Sequence, residues 1–221
     1  MPSIAKKRFK KKLLPDVFKL IEAHNELNPE GRGRRYLGHI TRSGVIMLCA
    51  AWELYVEDVC KEGVVFLTKD SKAPAFLPDR IKGMISKHVK SSKHDFSVLE
   101  LCHHGWKKVY IDAFQSAIEH VNTPKFGPIS DLFYDWLGVN SKELEDSWRH
   151  DFEELNNFVT LRGEIAHRGA DAQYVNRNSL MSYAELIEDF VVDTDNFLAD
   201  HLRHIDDGNK KPWNKTPIHT A

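Results

Sequence analysis

Residues 36–67, YLGHITRSGVIMLCAAWELYVEDVCKEGVVFL, decide the fold. Ile40, Val45, Leu48, Ala51, Trp52, Tyr55, Val56 and Val59 recur at the three- and four-residue steps that gather side chains on one side of an α-helix. The apolar positions are too dense for one narrow stripe, so the middle of this helix is expected to be buried on more than one side. Gly38, Gly44 and Gly63 each weaken an isolated helix, and read better as points of close helix approach or as frayed limits.

The pattern repeats outward in both directions. Val17, Leu20, Ile21, His24 and Leu27 share a face beyond Pro15-Asp16, and the glycine- and proline-rich run Asn28 to Gly33 breaks it. After residue 67, Pro74, Pro78 and Gly83 interrupt a Lys-, Ser- and His-rich segment read as loop plus one short helix from Pro78 to about His88. Helix returns around Val98 to Val121, the run Asn122 to Pro128 is an irregular connection, and a short helix follows from Ser130 to Leu137. Asn140-Ser141 then caps the way into a stretch that ends at His167. The last helix runs from about Ser179 to His204, with Leu186, Ile187, Phe190, Val191, Phe197 and Leu198 facing the core. Alternating strand-like runs bounded by hairpin turns are nearly absent, so the fold class is all-α, a helical bundle with extra short helices and loops.

A chain of 221 residues with 42% hydrophobic content supports one sizeable core. Residues 15–205 are expected as a single helical domain, preceded by a flexible basic arm over residues 1–14 and followed by a disordered tail over 206–221. The net charge of −1 sets up no global attraction for nucleic acid. The charge is uneven, however: Lys6, Lys7, Arg8, Lys10, Lys11 and Lys12 crowd the start with no acid among them. Such a run suits phosphates, an acidic partner or an anionic surface, or is simply a solvated arm. No apolar stretch is long enough to span a bilayer and no signal-peptide core follows the basic start, so a soluble, cytoplasmic protein with no membrane partner is expected. The odd number of cysteines, Cys49, Cys60 and Cys102, fits a reducing compartment with free thiols.

One segment does not obey packing alone. In Leu161-Arg162-Gly163-Glu164-Ile165-Ala166-His167-Arg168-Gly169, an arginine sits where the helical period asks for leucine. At about 100° per residue, Trp148, Phe152, Leu155, Val159 and Ala166 form a stripe centred close to Arg162. A guanidinium stays charged at ordinary pH, so burial there demands a carboxylate, water or an anionic ligand. Glu53 and Glu57, one turn apart on the long helix, are the candidate structural partners. His167 lies about 140° around from Arg162 and leans toward the same groove. Gly169 is expected to cap the helix, which leaves His167 beside the negative end of the helix dipole, where an imidazolium is favoured. The same residues also suit an ordinary ion pair and a capping histidine.

Other chemistry finds less support. Among the 12 histidines, Cys102-His103-His104 points in too many directions to grip one ion, and His201 and His204 lack a second ligand pair. No metal site and no cofactor is expected. The zinc-protease helix, nucleophile elbow, phosphate loop and dinucleotide fingerprint are missing. Gly31-Arg32-Gly33-Arg34-Arg35 is a second basic patch in a loop, able to clasp phosphates if it comes near the Arg162 face.

Arg162-x4-His167, followed by Arg168-Gly169 late in an all-α chain, resembles the HEPN superfamily, whose signature is Arg-x4-6-His. The segment Ala50-Ala51-Trp52-Glu53-Leu54-Tyr55-Val56-Glu57 is similar to the RiboL-PSP-HEPN branch or its MAE_28990-like relatives, and the likeness covers most of Tyr36 to His204. It implies a bundle that dimerises, bringing two Arg-His motifs into one cleft that cuts RNA without a metal. In that setting Arg162 and His167 are catalytic, and Arg168, Arg32, Arg34 and Arg35 are substrate-binding candidates. RNA, a second copy of the chain and an antitoxin or other protein are the partners so implied, for a toxin or phage-defence effector. The alternative is a noncatalytic HEPN-like module for dimerisation and for RNA or protein binding. Gly163 departs from the pattern, since many active members carry a polar residue directly after the arginine. Gly169 stands where members modified by a partner nucleotidyltransferase carry tyrosine, so AMP transfer is not supported.

Overall fold

In the computed structural model, which describes residues 1–29, 36–69, 74–118, 123–206 and 210–217, the chain is built of helices. In order they are α1 (Ile4–Arg8), a π turn (Phe9–Leu13), α2 (Leu14–Leu27), α3 (Gly38–Thr68), α4 (Asp79–Ser91) and α5 (Gly105–Ile118). They continue as α6 (Phe126–Leu137), α7 (Ser141–Ser147), α8 (Phe152–Arg168) and α9 (Arg177–Ile205). Among the described residues there is no strand.

The apolar run that decides the fold is the spine. α3 packs against α1, α2, α5, α6, α8 and α9, which is why its hydrophobic positions exceed a single stripe. Trp52 is fully buried, donates its indole N–H to the Pro124 carbonyl at 3.0 Å and stacks on Tyr55 at 5.7 Å between centroids. The Tyr55 hydroxyl donates to the Val191 carbonyl at 3.1 Å, so α3 is tied to α9 by a satisfied polar atom inside the core. Two glycines permit this approach. A Cβ at Gly44 would overlap the Leu180 side chain, and one at Gly63 would come within 2.7 Å of Leu137 Cδ2. Their role is the close approach expected of them.

The N-terminal stretch is not a flexible arm. Residues 4–13 are helical, Ala5 and Phe9 are buried, and the helix continues into α2. The apolar positions Ala5, Phe9, Leu14, Val17 and Ile21 are spaced four, five, three and four apart. The five-residue step is the one an α-helix cannot keep on a face, and the π turn supplies it: the Leu14 N–H reaches back to the Phe9 carbonyl. Three of the six cations are spent internally. Arg8 pairs with Asp58 at 2.6 Å, Lys10 with Glu188 at 2.7 Å, and Lys6, 1% exposed, lies 3.7 Å from the buried carboxylate of Asp195.

The described part of the C-terminal segment is docked, where a disordered tail was expected. Trp213 is buried and donates to the Asp195 carbonyl at 2.9 Å. Asn196 clasps Thr216 through both its backbone N–H and its carbonyl, and Lys6 Nζ donates to Thr216 Oγ1 at 2.9 Å. The Asn214 N–H reaches the Met1 carbonyl at 2.8 Å, so the two terminal segments lie side by side on α9.

Three boundaries differ from the sequence expectation. α6 begins at Phe126 rather than Ser130, because Pro128 falls in its first turn, where a missing N–H leaves no bond unmade. α5 begins at Gly105 rather than near Val98, since residues 97–101 form a 3-10 turn and His103 takes a positive φ of 53°. The stretch after Asn140 is two helices: Asn140 caps α7, and Asp151 caps α8 by accepting from the Glu153 N–H at 2.8 Å.

Candidate functional site

α8 carries the Arg-His pair, and its start is fixed before its end is presented. Trp148 precedes the helix, so it is not part of the stripe; its indole N–H donates to Thr194 Oγ1 at 2.9 Å. Arg149 holds Asp193 at 3.0 Å and Asp189 at 2.9 Å, and His150 Nε2 is 2.9 Å from Asp189. This charged knot escaped the sequence reading. Its signal was legible: Asp189 and Asp193 are four residues apart on α9, opposite a tandem Arg149-His150.

The buried face of α8 is Leu155, Phe158, Val159, Leu161 and Ile165. Ala166 is exposed, which shifts the face away from the stripe as first drawn. Arg162 still falls within its angular span and is half-buried. It faces α3, where its charge acts on Cys49 and Glu53. Burial pushes the Cys49 thiol up to about 11, and Arg162 opposes that rise. Burial likewise raises the Glu53 carboxyl above its ordinary range, with Arg162 pulling it back. Glu57 is also raised, by burial and then by Glu53 and Asp58; Arg162 is not among its influences. Of the two candidate partners, Glu53 is therefore the one that senses the arginine. Neither closes on it: among the described residues, no ion pair within 4.0 Å and no hydrogen bond holds the Arg162 side chain.

His167 and Arg168 occupy the last turn of α8 and are exposed. Gly169 follows as the cap at a φ of 57°, a left-handed value that favours glycine, and donates its N–H to the Ile165 carbonyl. Glu164 steadies this end, accepting from the Gln173 N–H at 3.2 Å and standing 3.8 Å from Arg168. Arg162 and His167 are separated by about 7.5 Å of helical rise and about 140° of rotation. The chain thus presents both groups from a single helix without joining them by a hydrogen bond. Gly163 lies between them, and a Cβ built there meets nothing within 4 Å. The surface beside the arginine is open.

Arg32, Arg34 and Arg35 lie outside the described residues. Among the described residues no helix is long and apolar enough to cross a membrane, and no group of three or more His, Cys, Asp or Glu is arranged to hold a metal ion.

An all-helical bundle whose central Trp-Glu helix packs on a late helix bearing Arg-x4-His defines a HEPN-type module. The particular family follows from comparison: the family model for RiboL-PSP-HEPN matches residues 12–200, and the chain belongs to that family. No curated protein and no solved structure shows a significant match.

Proposed function

We propose that this protein is a metal-independent endoribonuclease of HEPN type, working as a homodimer in the cytoplasm and serving as a toxin or phage-defence effector. The observation that carries the reading is Arg162: a half-buried guanidinium that, among the described residues, no carboxylate neutralises at contact distance, beside open space at Gly163. A partly desolvated cation in that position favours an anion, and the planar fork suits a phosphate.

The chemistry asks little more. The 2′-hydroxyl of RNA attacks the adjacent phosphorus; its proton goes to a base, the 2′-O–P bond forms, and the P–O5′ bond breaks as an acid protonates the leaving oxygen. Products are a 2′,3′-cyclic phosphate and a 5′-hydroxyl. His167 moves a proton, and Arg162 stabilises charge on the phosphorane. One protomer supplies one imidazole for two transfers, so a second copy completes the site. Ile46, 40% exposed on α3, lies within about 60° of Cys49 and Glu53 around the helix, and a second copy laid there covers it. Arg168, in the same last turn as His167, is the residue we assign to the substrate backbone.

The test is incubation of purified protein with unstructured and structured RNA in excess chelator, with mapping of the new ends. Wild type is expected to leave cyclic phosphate ends, and His167→Ala and Arg162→Ala to lose at least a hundredfold in rate. Equal cleavage by wild type and His167→Ala refutes the assignment. So does RNA left intact by both, which leaves the noncatalytic module standing.

A further inference from the structure

The segment from Asp79 to Lys108 carries seven lysines and arginines against three acids, in a chain whose net charge is −1. On α4, Ile81, Ile85 and Val89 face the core. The opposite side presents Gly83, Ser86, Lys87, Lys90 and Ser91, which line a shallow depression of about 550 Å³. Gly83 has nothing within 4 Å of a built Cβ, so its missing side chain keeps the floor low. Lys87 and Lys90 are exposed, and among the described residues neither is held in an ion pair. They differ in this from Lys6 and Lys10 of the N-terminal run, which pair with Asp195 and Glu188.

An apolar platform adjoins the depression. Ser97 is buried and donates its hydroxyl to the Val89 carbonyl at 3.2 Å, which pins the next turn against the end of α4. That anchor sets Phe96, 66% exposed, beside the C-terminal end of the lysine row, and Val98 and Leu99 are similarly bare. His94 meets the Phe96 ring edge-on at 6.0 Å, and Lys93 adds another exposed cation.

We infer that this surface binds single-stranded RNA, with Lys87 and Lys90 on successive phosphates and Phe96 under a base. Lysines repeated along a helix, with a ring at the end of the row, are the two elements of sequence-tolerant single-strand recognition. The surface is separate from the Arg-His pair: α4 packs on α5 and α6, whereas α8 packs on α3 and α6. The inference draws on the proposed RNA substrate but concerns capture, which is measurable without cleavage.

The experiment is fluorescence anisotropy with a labelled, unstructured 20-nucleotide RNA in chelator, using the full chain carrying His167→Ala so that the probe survives. Adding Lys87→Glu and Lys90→Glu is expected to weaken binding at least tenfold and to flatten the salt dependence by about 1.4 in the log-log slope. Adding Phe96→Ala is expected to weaken it roughly fivefold to a hundredfold. All three positions are exposed, so melting temperatures stay unchanged. The inference is overturned if the RNA is not bound, or if affinity survives all three substitutions. It is equally overturned if the lysines and Phe96 instead mediate binding to phosphatidylserine vesicles or polyglutamate while RNA binding is untouched. Capture without cleavage by the unsubstituted chain sinks the nuclease reading alone; cleavage that ignores Lys87→Glu/Lys90→Glu, with binding intact, sinks the surface alone.

Discussion

Lys6→Met separates a structural lysine from a nucleic-acid-binding one. Lys6 is 1% exposed, and beside it burial pushes the Asp195 carboxyl up to about 6 from an ordinary 3.8, against the pull of Ser3 and Lys6. Because folded Asp195 holds its proton more tightly than the unfolded chain does, its contribution is fully present below about pH 3.8. It is lost as pH rises through about 6. A shift of two units corresponds to about 3 kcal/mol. Removing Lys6 removes a charge that holds the carboxyl down, so in the variant Asp195 titrates higher still. At pH 8 the orphaned carboxylate is buried without its cation, at a cost of about 3–5 kcal/mol. That is a fall in melting temperature of roughly 10 °C for a chain of this size. At pH 5 the carboxyl is protonated in both proteins, and the deficit is expected to shrink by more than half. Thermal melts of wild type and Lys6→Met at the two pH values measure it. A deficit that is constant, or larger at pH 5, refutes the reasoning. RNA affinity of the folded variant is expected to match wild type.

Two glycines on helices are expected to respond oppositely to alanine. Gly163→Ala places a methyl in open space and should stabilise by about 0.5–1 kcal/mol. Gly44→Ala drives one into Leu180 and should cost about 1–3 kcal/mol, both read as shifts in denaturation midpoint. Thiol titration with an aromatic disulfide should find one fast group in the native protein, exposed Cys102, and three after denaturation. Cys49 and Cys60 are buried, and burial raises both thiols. A second fast thiol contradicts the packing of α3.

The helical class and the central helix were legible because burial on several sides leaves an apolar period too dense to miss, from Ile40 to Val59. The start of α9 was legible to within two residues of Ser179. The N-terminal helix was not, although its apolar residues were in view, because a π turn inserts one residue between Phe9 and Leu14 and breaks the 3.6-residue period. Lysines beside it read as solvated until their acids, Glu188 and Asp195, arrive from some 180 residues away. Arg162 was legible as a charge on a buried face. Glu53's stronger coupling to it than Glu57's was not, since both lie on the same side of α3 and only helix packing separates them. Trp213 was missed because a single tryptophan in a polar, aperiodic stretch carries no period.

The clasp between the terminal segments has a consequence for how the molecule is made. Ser3 bonds Asp195 across 192 residues of sequence, and Lys6 reaches Thr216 across 210. At about 5–20 residues per second, a ribosome needs roughly 10–45 seconds to deliver both halves of that clasp. Until then α1 has no α9 to lie on, and α8 has been made with its Arg-His motif before the Asp189 and Asp193 that anchor its start. The nascent chain therefore carries the motif before it carries the fold that positions it. Synthesis of residues 195–216, rather than of the motif, sets the moment at which the finished bundle can exist.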